Sequence, residues 1–446
     1  MLRRPLSFED KRLVSPPPSR LSLLTLILAL LPPHHLHFKS NCIPTQPNTN
    51  IAIAIAASII GKMASDNLRT LVVTGTRADW SKLQPVCRAF IRVLGKIDVF
   101  ITGMHLEEAY GYTANLVRQL EGVDQFHMHK NQTLGPHQTE VMEETIKGLA
   151  KVLRDRKITD VVVHGDRVEA CTAAMVARQH GIRLHHIEGG ELSGSIDESY
   201  RHAVTAFTTY SYVCSASAKD LVVKNLGQHP QTVFNIGSPE MDAHARDYGV
   251  SLNDVKRKYG IPFAGEYGIV SFHSVTSELD GMHEQAAYLF ATLEEYGKNF
   301  IVIMPNNDPG TDAIRDIIGK ILEGKRSDRF FQSANIDFEH FSVLQKNASV
   351  FIGNSSAGVR EMPFHGVGSI NVGSRQNNRV PDIPAIINAP ANDAAALLRA
   401  LKSFWGKKFA RDKTFGDGTA EEKLVGALKT PGHFDRSVQK SFYLPG

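Results

Sequence analysis

The side chains best suited to chemistry in this chain come in short runs, each opening where an apolar stretch stops. The first is Gly75-Thr76-Arg77-Ala78-Asp79-Trp80-Ser81-Lys82, after Thr70–Thr74. A glycine turn entering a helix leaves backbone N–H groups pointing outward, a natural anion site. Arg77 and Lys82 add positive charge; the plainer alternative is a tight turn with solvated bases. The second run, His164-Gly165-Asp166-Arg167, sets an acid beside a base, suited to holding a ligand or moving a proton. Asp is equally a favoured helix cap. The third is Glu188-Gly189-Gly190-Glu191, with Asp197 and Glu198 close behind. Crowded carboxylates raise one another's pKa, so one can hold a proton while another stays ionised. The paired glycines let backbone approach a substrate closely. Asp197 and Glu198 alternatively cap the next helix. No His/Asp spacing here favours a particular metal ion.

Two further runs lie in the second half. Ser271-Phe272-His273-Ser274 offers His273, whose ordinary pKa suits acid–base work, although a lone His is commonly structural. Gly353-Asn354-Ser355-Ser356-Ala357-Gly358-Val359-Arg360-Glu361 is a Ser/Gly turn entering a helix. Hydroxyls and helix amides in such a turn can hold a diphosphate, and Glu361 could bond a ribose diol. Gly373-Ser374-Arg375-Gln376-Asn377-Asn378-Arg379 adds bases at the next strand end.

Strands and helices must alternate to position these runs. Apolar strands are expected at Thr70–Thr74, Asp98–Thr102, Asp160–His164, Leu184–Ile187, Ser211–Cys214 and Val233–Ile236. A second series follows at Gly268–Phe272, Phe300–Met304, Val350–Gly353 and Ser369–Val372. Helical periodicity fills the gaps, for example at Leu83, Val86, Phe90, Ile91 and Leu94. Continuous apolar strands alternating with helices imply parallel sheets covered on both faces. The expected fold is α/β: two Rossmann-like doubly wound domains, at 63–245 and 246–446, facing across a cleft. The last helix, Ala420–Leu428, is placed to pack back on the first. In open α/β sheets ligands bind beyond the carboxyl ends of the strands, where every run above falls.

Composition narrows the function classes. The net charge of +4 is misleading, because residues 1–62 hold seven Lys/Arg and two acids and the rest carries −1. A near-neutral body argues against nucleic-acid binding. Four cysteines without metal-type spacing point to free thiols in a reducing, cytoplasmic setting. Residues 1–62 differ from the rest, with no acid after Asp10 and two apolar runs too short to span a bilayer. They read as a non-catalytic leader: a targeting segment, a membrane-surface anchor, or sequence absent from a mature protein that starts at Met63.

In this order the runs resemble the hydrolysing UDP-N-acetylglucosamine 2-epimerases of sialic acid biosynthesis. The resemblance extends from about Leu68 to Gly446. It includes Thr102-Gly103-Met104-His105, Asp197–His202 and Phe415-Gly416-Asp417-Gly418, and is close to the epimerase half of the bifunctional animal epimerase/kinase, without the kinase. It implies a GT-B-like fold and conversion of UDP-N-acetylglucosamine and water to N-acetylmannosamine and UDP. It also implies no cofactor or metal and a homodimer or homotetramer. The family's acids fall on Asp166, Glu188 and Asp197, and its cleft histidine on His273. Its UDP-sugar contacts fall on Arg77, Lys82, Arg167, Ser355, Ser356, Glu361 and Arg375. Non-hydrolysing relatives usually carry Thr after His-Gly-Asp and Ala-Gly-Leu-Arg after the acid; Arg167 and Gly189-Gly190-Glu191 stand here instead. The feedback site of the animal enzyme is matched clearly only at Arg315. The alternatives are an epimerase of UDP-2,4-diacetamido-2,4,6-trideoxyglucose, a GT-B glycosyltransferase, and a non-catalytic nucleotide-sugar sensor.

Overall fold

A computed structural model describes residues 68–444, apart from 132–136, 194–195, 276, 306–309, 324–326, 334–335, 378 and 380–381. The chain divides into two units, Met1–Met63 and Ala64–Gly446. The first, with the leader readings and Cys42, lies outside the described residues.

The first domain runs β1 (Thr70–Thr74), α1 (Arg77–Leu94), β2 (Ile97–Ile101), α2 (Ala114–Val117), β3 (Val123–Met128), α3 (Gln138–Arg156), β4 (Asp160–His164), α4 (Val168–Gln179), β5 (Arg183–Ile187), α5 (Ile196–Phe207), β6 (Tyr210–Val213), α6 (Ala216–Lys224) and β7 (Val233–Asn235). The chain crosses over through α7 (Pro239–Ala245) and α8 (Leu252–Tyr259). The second domain runs β8 (Tyr267–Ser271), α9 (Met282–Tyr296), β9 (Asn299–Ile303), α10 (Thr311–Leu322), β10 (Phe330–Ser333), α11 (Phe338–Asn347), β11 (Val350–Gly353), α12 (Ser356–Phe364), β12 (Ser369–Val372), β13 (Ile386–Ala389) and α13 (Ala394–Phe404), before the terminal α14 (Ala420–Leu428).

Both sheets are parallel. Their orders are β3-β2-β1-β4-β5-β6-β7 and β10-β9-β8-β11-β12-β13. The direction of winding reverses between β1 and β4 in one sheet and between β8 and β11 in the other. A crevice opens at such a switch point, and all four strands there end in a singled-out run. The central strands are buried along their whole length, as β1 shows. Separate apolar clusters cover the two faces of each sheet, which is why these strands read as continuous apolar stretches.

The edge strands β3 and β10 were not legible. Their sequences, Val-Asp-Gln-Phe-His-Met and Phe-Phe-Gln-Ser, mix apolar and polar residues because one flank meets no further strand. The final helix joins the first domain's core, where Leu424, Val425 and Leu428 pack with Leu83 and Phe90 of α1. Asp242 on α7 accepts from the amides of Ala420 and Glu421, each at 2.7 Å, and so caps that helix. Cys87, Cys171 and Cys214 are free and buried. Among the described residues, no helix is long and apolar enough to cross a membrane.

Candidate active site

Glu188 is the residue on which the two domains meet. It extends β5 by donating its N–H to the Tyr212 carbonyl at 2.8 Å. Its own φ is +64°, a conformation that favours glycine and costs a larger residue about 1–3 kcal/mol. Four side chains hold it there. His164 Nε2 lies 3.1 Å and Lys82 Nζ 3.3 Å from Oε2, while Arg360 Nη2 lies 2.7 Å from Oε1. Ser238 also donates to Oε1. Lys82 and His164 come from the first domain, Ser238 from the crossover, and Arg360 from α12 of the second.

Arg360 also pairs with Glu191 Oε2 at 3.2 Å, and Lys82 with Glu240 Oε2 at 3.5 Å. Burial alone would raise the pKa of Glu188, but Arg360 and Lys82 hold it well below the usual carboxylate range. Burial likewise opposes the charge on Lys82, yet Glu188 and Glu240 keep it above the usual lysine range. The expectation that crowded acids raise one another's pKa therefore fails at Glu188, which faces cations. A carboxyl that is raised is Glu361, through burial above all and with Glu240 adding to it.

His185 and His186, the residues of β5 that precede the third run, are structural. His185 bonds Asp160 and the Tyr212 hydroxyl, each at 3.0 Å. His186 Nε2 lies 2.8 Å from the Gly165 carbonyl and ties the second run to the third. Burial pushes its pKa down to about 3, so it is neutral.

The other sequence-predicted residues lie as follows. Asp166 does not cap α4; its carboxylate pairs with Arg201, whose Nη1 donates to the Glu191 carbonyl at 2.7 Å. Arg167 reaches Glu169 at 3.3 Å. Asp197 is exposed in the first turn of α5, and Glu198 stands beside it in that turn. The anion site expected at Gly75 is altered, because the amides of Gly75 and Thr76 donate to Asp79 at 3.0 and 3.1 Å. The turn thus carries its own carboxylate, and Thr76 and Asp79 form a capping box. Exposed Arg77 lies 3.9 Å from Asp337 of the second domain. Ser355 caps α12, its side chain accepting from the Ala357 amide.

Asn354 organises the second domain's side. Its amide side chain bonds the His273 N–H at 2.7 Å and the His273 carbonyl at 2.8 Å. Its carbonyl accepts from Arg375 at 3.2 Å and Gln376 at 2.9 Å. One residue so brings His273, Ser355, Ser356 and Arg375 to a single loop cluster. His273 Nε2 lies 3.2 Å from Ser271 Oγ. Glu361 faces His244 Nε2 at 3.4 Å and accepts from Gln345.

Arg360, Ser238, Glu240, Arg201 and His164 were not among the predicted site residues. Arg360, His164 and Arg201 lie inside the quoted runs, but the sequence carries no sign of which way any of these side chains turns. A cavity of about 270 Å³ opens beside the cluster, lined in part by Gly190, Glu191, Arg379 and Phe415. Among the described residues, Glu240, His244 and Glu361 come nearest to a metal-ligand set, with donor atoms within 4.8 Å of one another. Lys82 and Arg360 already set positive charge against Glu240, which opposes a further cation.

Two parallel-sheet α/β domains, meeting through residues that follow their strand ends, define a GT-B-like protein. The chain belongs to the UDP-N-acetylglucosamine 2-epimerase family, whose sequence profile matches residues 95–429. It is 36% identical over 379 residues to a UDP-N-acetylglucosamine 2-epimerase of Neisseria meningitidis serogroup B, covering 84% of this chain and 98% of that protein. It is 28% identical over 371 residues to the UDP-N,N'-diacetylbacillosamine 2-epimerase (hydrolyzing) of Legionella pneumophila, covering 81% and 96%. The fold matches a crystal structure of UDP-GlcNAc 2-epimerase from Neisseria meningitidis bound to UDP-GlcNAc, with TM-score 0.68, 16% identity, and 81% and 99% coverage.

Proposed function

We propose that this chain is a hydrolysing epimerase that converts UDP-N-acetylglucosamine and water to N-acetylmannosamine and UDP, as a first step towards sialic acid. A base removes the C2 proton while the C1–O bond breaks and UDP departs with its electron pair, leaving 2-acetamidoglucal. Water then adds, hydroxyl to C1 and proton to C2 from the opposite face. Hydrogen leaves and returns as a proton, so the route calls for no redox cofactor.

The observation that carries this reading is an ionised carboxylate, Glu188, buried between cations from two domains. An incoming diphosphate competes for Lys82 and Arg360. As those cations turn to it, Glu188 loses its counter-charges and its affinity for a proton rises. Base strength is thereby coupled to substrate binding. Asp166, Asp197 and His273 remain the other candidates for moving protons. Ser355, Ser356, Arg77, Arg167 and Arg375 are assigned to the UDP-sugar, with Glu361 on the ribose. Arg167 and Gly189-Gly190-Glu191 support the hydrolysing class, as do relatives named for hydrolysing epimerases. Those same relatives favour a second reading, the diacetamido-trideoxy sugar nucleotide as substrate. The enzyme is assigned to the cytoplasm as a homodimer or homotetramer.

Incubating the full chain with UDP-N-acetylglucosamine in heavy water, followed by proton and phosphorus NMR, tests the proposal. Free N-acetylmannosamine deuterated at C2, with UDP released, is the expected result. An equilibrium of intact UDP-sugars would place the chain in the non-hydrolysing class instead.

A further inference from the structure

A second cavity, of about 520 Å³, lies where the chain crosses between the domains. One wall is the crossover after α7, the others are α11, the end of α12 and the segment around Arg411. Arg246, Lys346 and Arg411 line it from three of these four walls. Among the described residues, none of the three pairs with a carboxylate. Arg411 reaches only the Asp417 carbonyl, at 3.5 Å, and its guanidinium lies over the Phe364 ring at 3.7 Å, which fixes the plane of the fork. Asp247 is the acid of the lining, and its carboxylate already accepts from the Gly249 amide at 2.9 Å. The cavity therefore keeps a net positive lining, three bases against one acid. His365 on the wall feels that field: burial first, then the charges of His244, Arg411 and Lys346, push its pKa down to about 3.

The cavity also connects to the candidate active site. His365 Nε2 lies 3.2 Å from His244 Nδ1, and His244 Nε2 lies 3.4 Å from Glu361. Nothing in the proposed epimerisation uses Arg246, Lys346, Arg411 or His365.

We infer that this crossover cavity is a second ligand site, for a phosphate ester of sugar size. A phosphate monoester carries nearly two negative charges at neutral pH, and an arginine fork matches its oxygens in pairs. The volume lies in the range of small-ligand sites, which leaves room for a sugar beyond the phosphate. Because the walls come from the crossover and from the second domain, an occupant braces the segment about which the domains are joined.

The test is calorimetric titration of the full chain with glucose 6-phosphate in saturating UDP, which occupies any phosphate site in the main cleft. One saturable site per chain is expected. The double variant Arg246→Gln/Lys346→Gln should weaken binding at least tenfold with the melting temperature unchanged, and Arg411→Lys alone should weaken it by removing the fork. Glucose should not bind, and inorganic phosphate should bind at least tenfold more weakly than the ester. Absence of saturable binding overturns the inference. So does binding lost in Lys82→Ala but kept in the double variant, which would place the ester in the main cleft. Equal affinity for inorganic phosphate overturns the assignment to an ester. These readouts do not depend on turnover, so they stand or fall apart from the epimerase reading.

Discussion

Arg360 Nη2 stands 2.7 Å from Glu188 Oε1, although the two residues are 172 positions apart and belong to different domains. The pair is buried, and its charges are shared with Lys82, Glu191 and Glu240. Breaking one partner of a buried pair leaves the other charged and unsolvated, at a cost of about 3–5 kcal/mol. Arg360→Ala is expected to lower unfolding stability by that order in urea titrations, and Arg360→Lys by less. A change below about 0.5 kcal/mol, the size of an ordinary surface substitution, would mean that solvent reaches the pair.

Glu188→Gln keeps the shape and removes the base. Turnover should fall by about 10²–10⁴, the range expected for a lost general base. UDP affinity, measured by calorimetry, should stay within a few-fold, because the cations that meet a diphosphate remain. Loss of UDP binding with turnover would show that Glu188 acts as an organiser of the site.

Acid should destabilise the first domain in two stages. His186 and His433 have folded pKa values pushed down to about 3 from 6.5, by burial first. The unfolded chain therefore binds more protons between pH 6.5 and 3, and stability from these groups is full above 6.5 and falls with pH through that window. Each contributes a slope of about 1.4 kcal/mol per pH unit. Asp160 is held at about 2, below its ordinary 3.8, by His185 and Arg183 against the pull of burial. Its contribution of about 2 kcal/mol is present above pH 3.8 and lost as pH falls towards 2. Urea midpoints measured from pH 7 to pH 2 check both stages, and Asp160→Asn should flatten the second.

Asp242→Asn should loosen the terminal helix α14. It weakens the acceptor for two amides at the helix start, worth about 0.5–2 kcal/mol for a cap. Hydrogen exchange should rise within Ala420–Leu428 while β1 stays protected. Uniform exchange across the whole first domain would show that the helix and the domain open as one unit.

Gly190→Ala should disturb the acid cluster directly. Gly190 has φ +84°, and a Cβ there would sit 2.6 Å from the Ala218 carbonyl oxygen and from Val222 Cγ2. Lower thermal stability and reduced turnover are expected together. A variant with both unchanged would mean that α6 moves aside freely.

The alternation of strands and helices was legible along the chain, because buried parallel strands must be apolar on both faces and end in turns. That alternation also located the polar runs at strand ends, where an open sheet leaves room for ligands. It did not reveal β3, β10 or β13, whose edge or partly exposed positions relax the apolar requirement. The charge state of Glu188 depends on contacts that folding alone creates. Of the acids close to it in sequence, Glu191 shares Arg360 with it and Asp197 stays exposed; its own partners are Lys82, His164, Ser238 and Arg360, brought from four separate segments. Electrostatic interactions depend on distance through space and on burial, and neither is written in the spacing of residues along the chain.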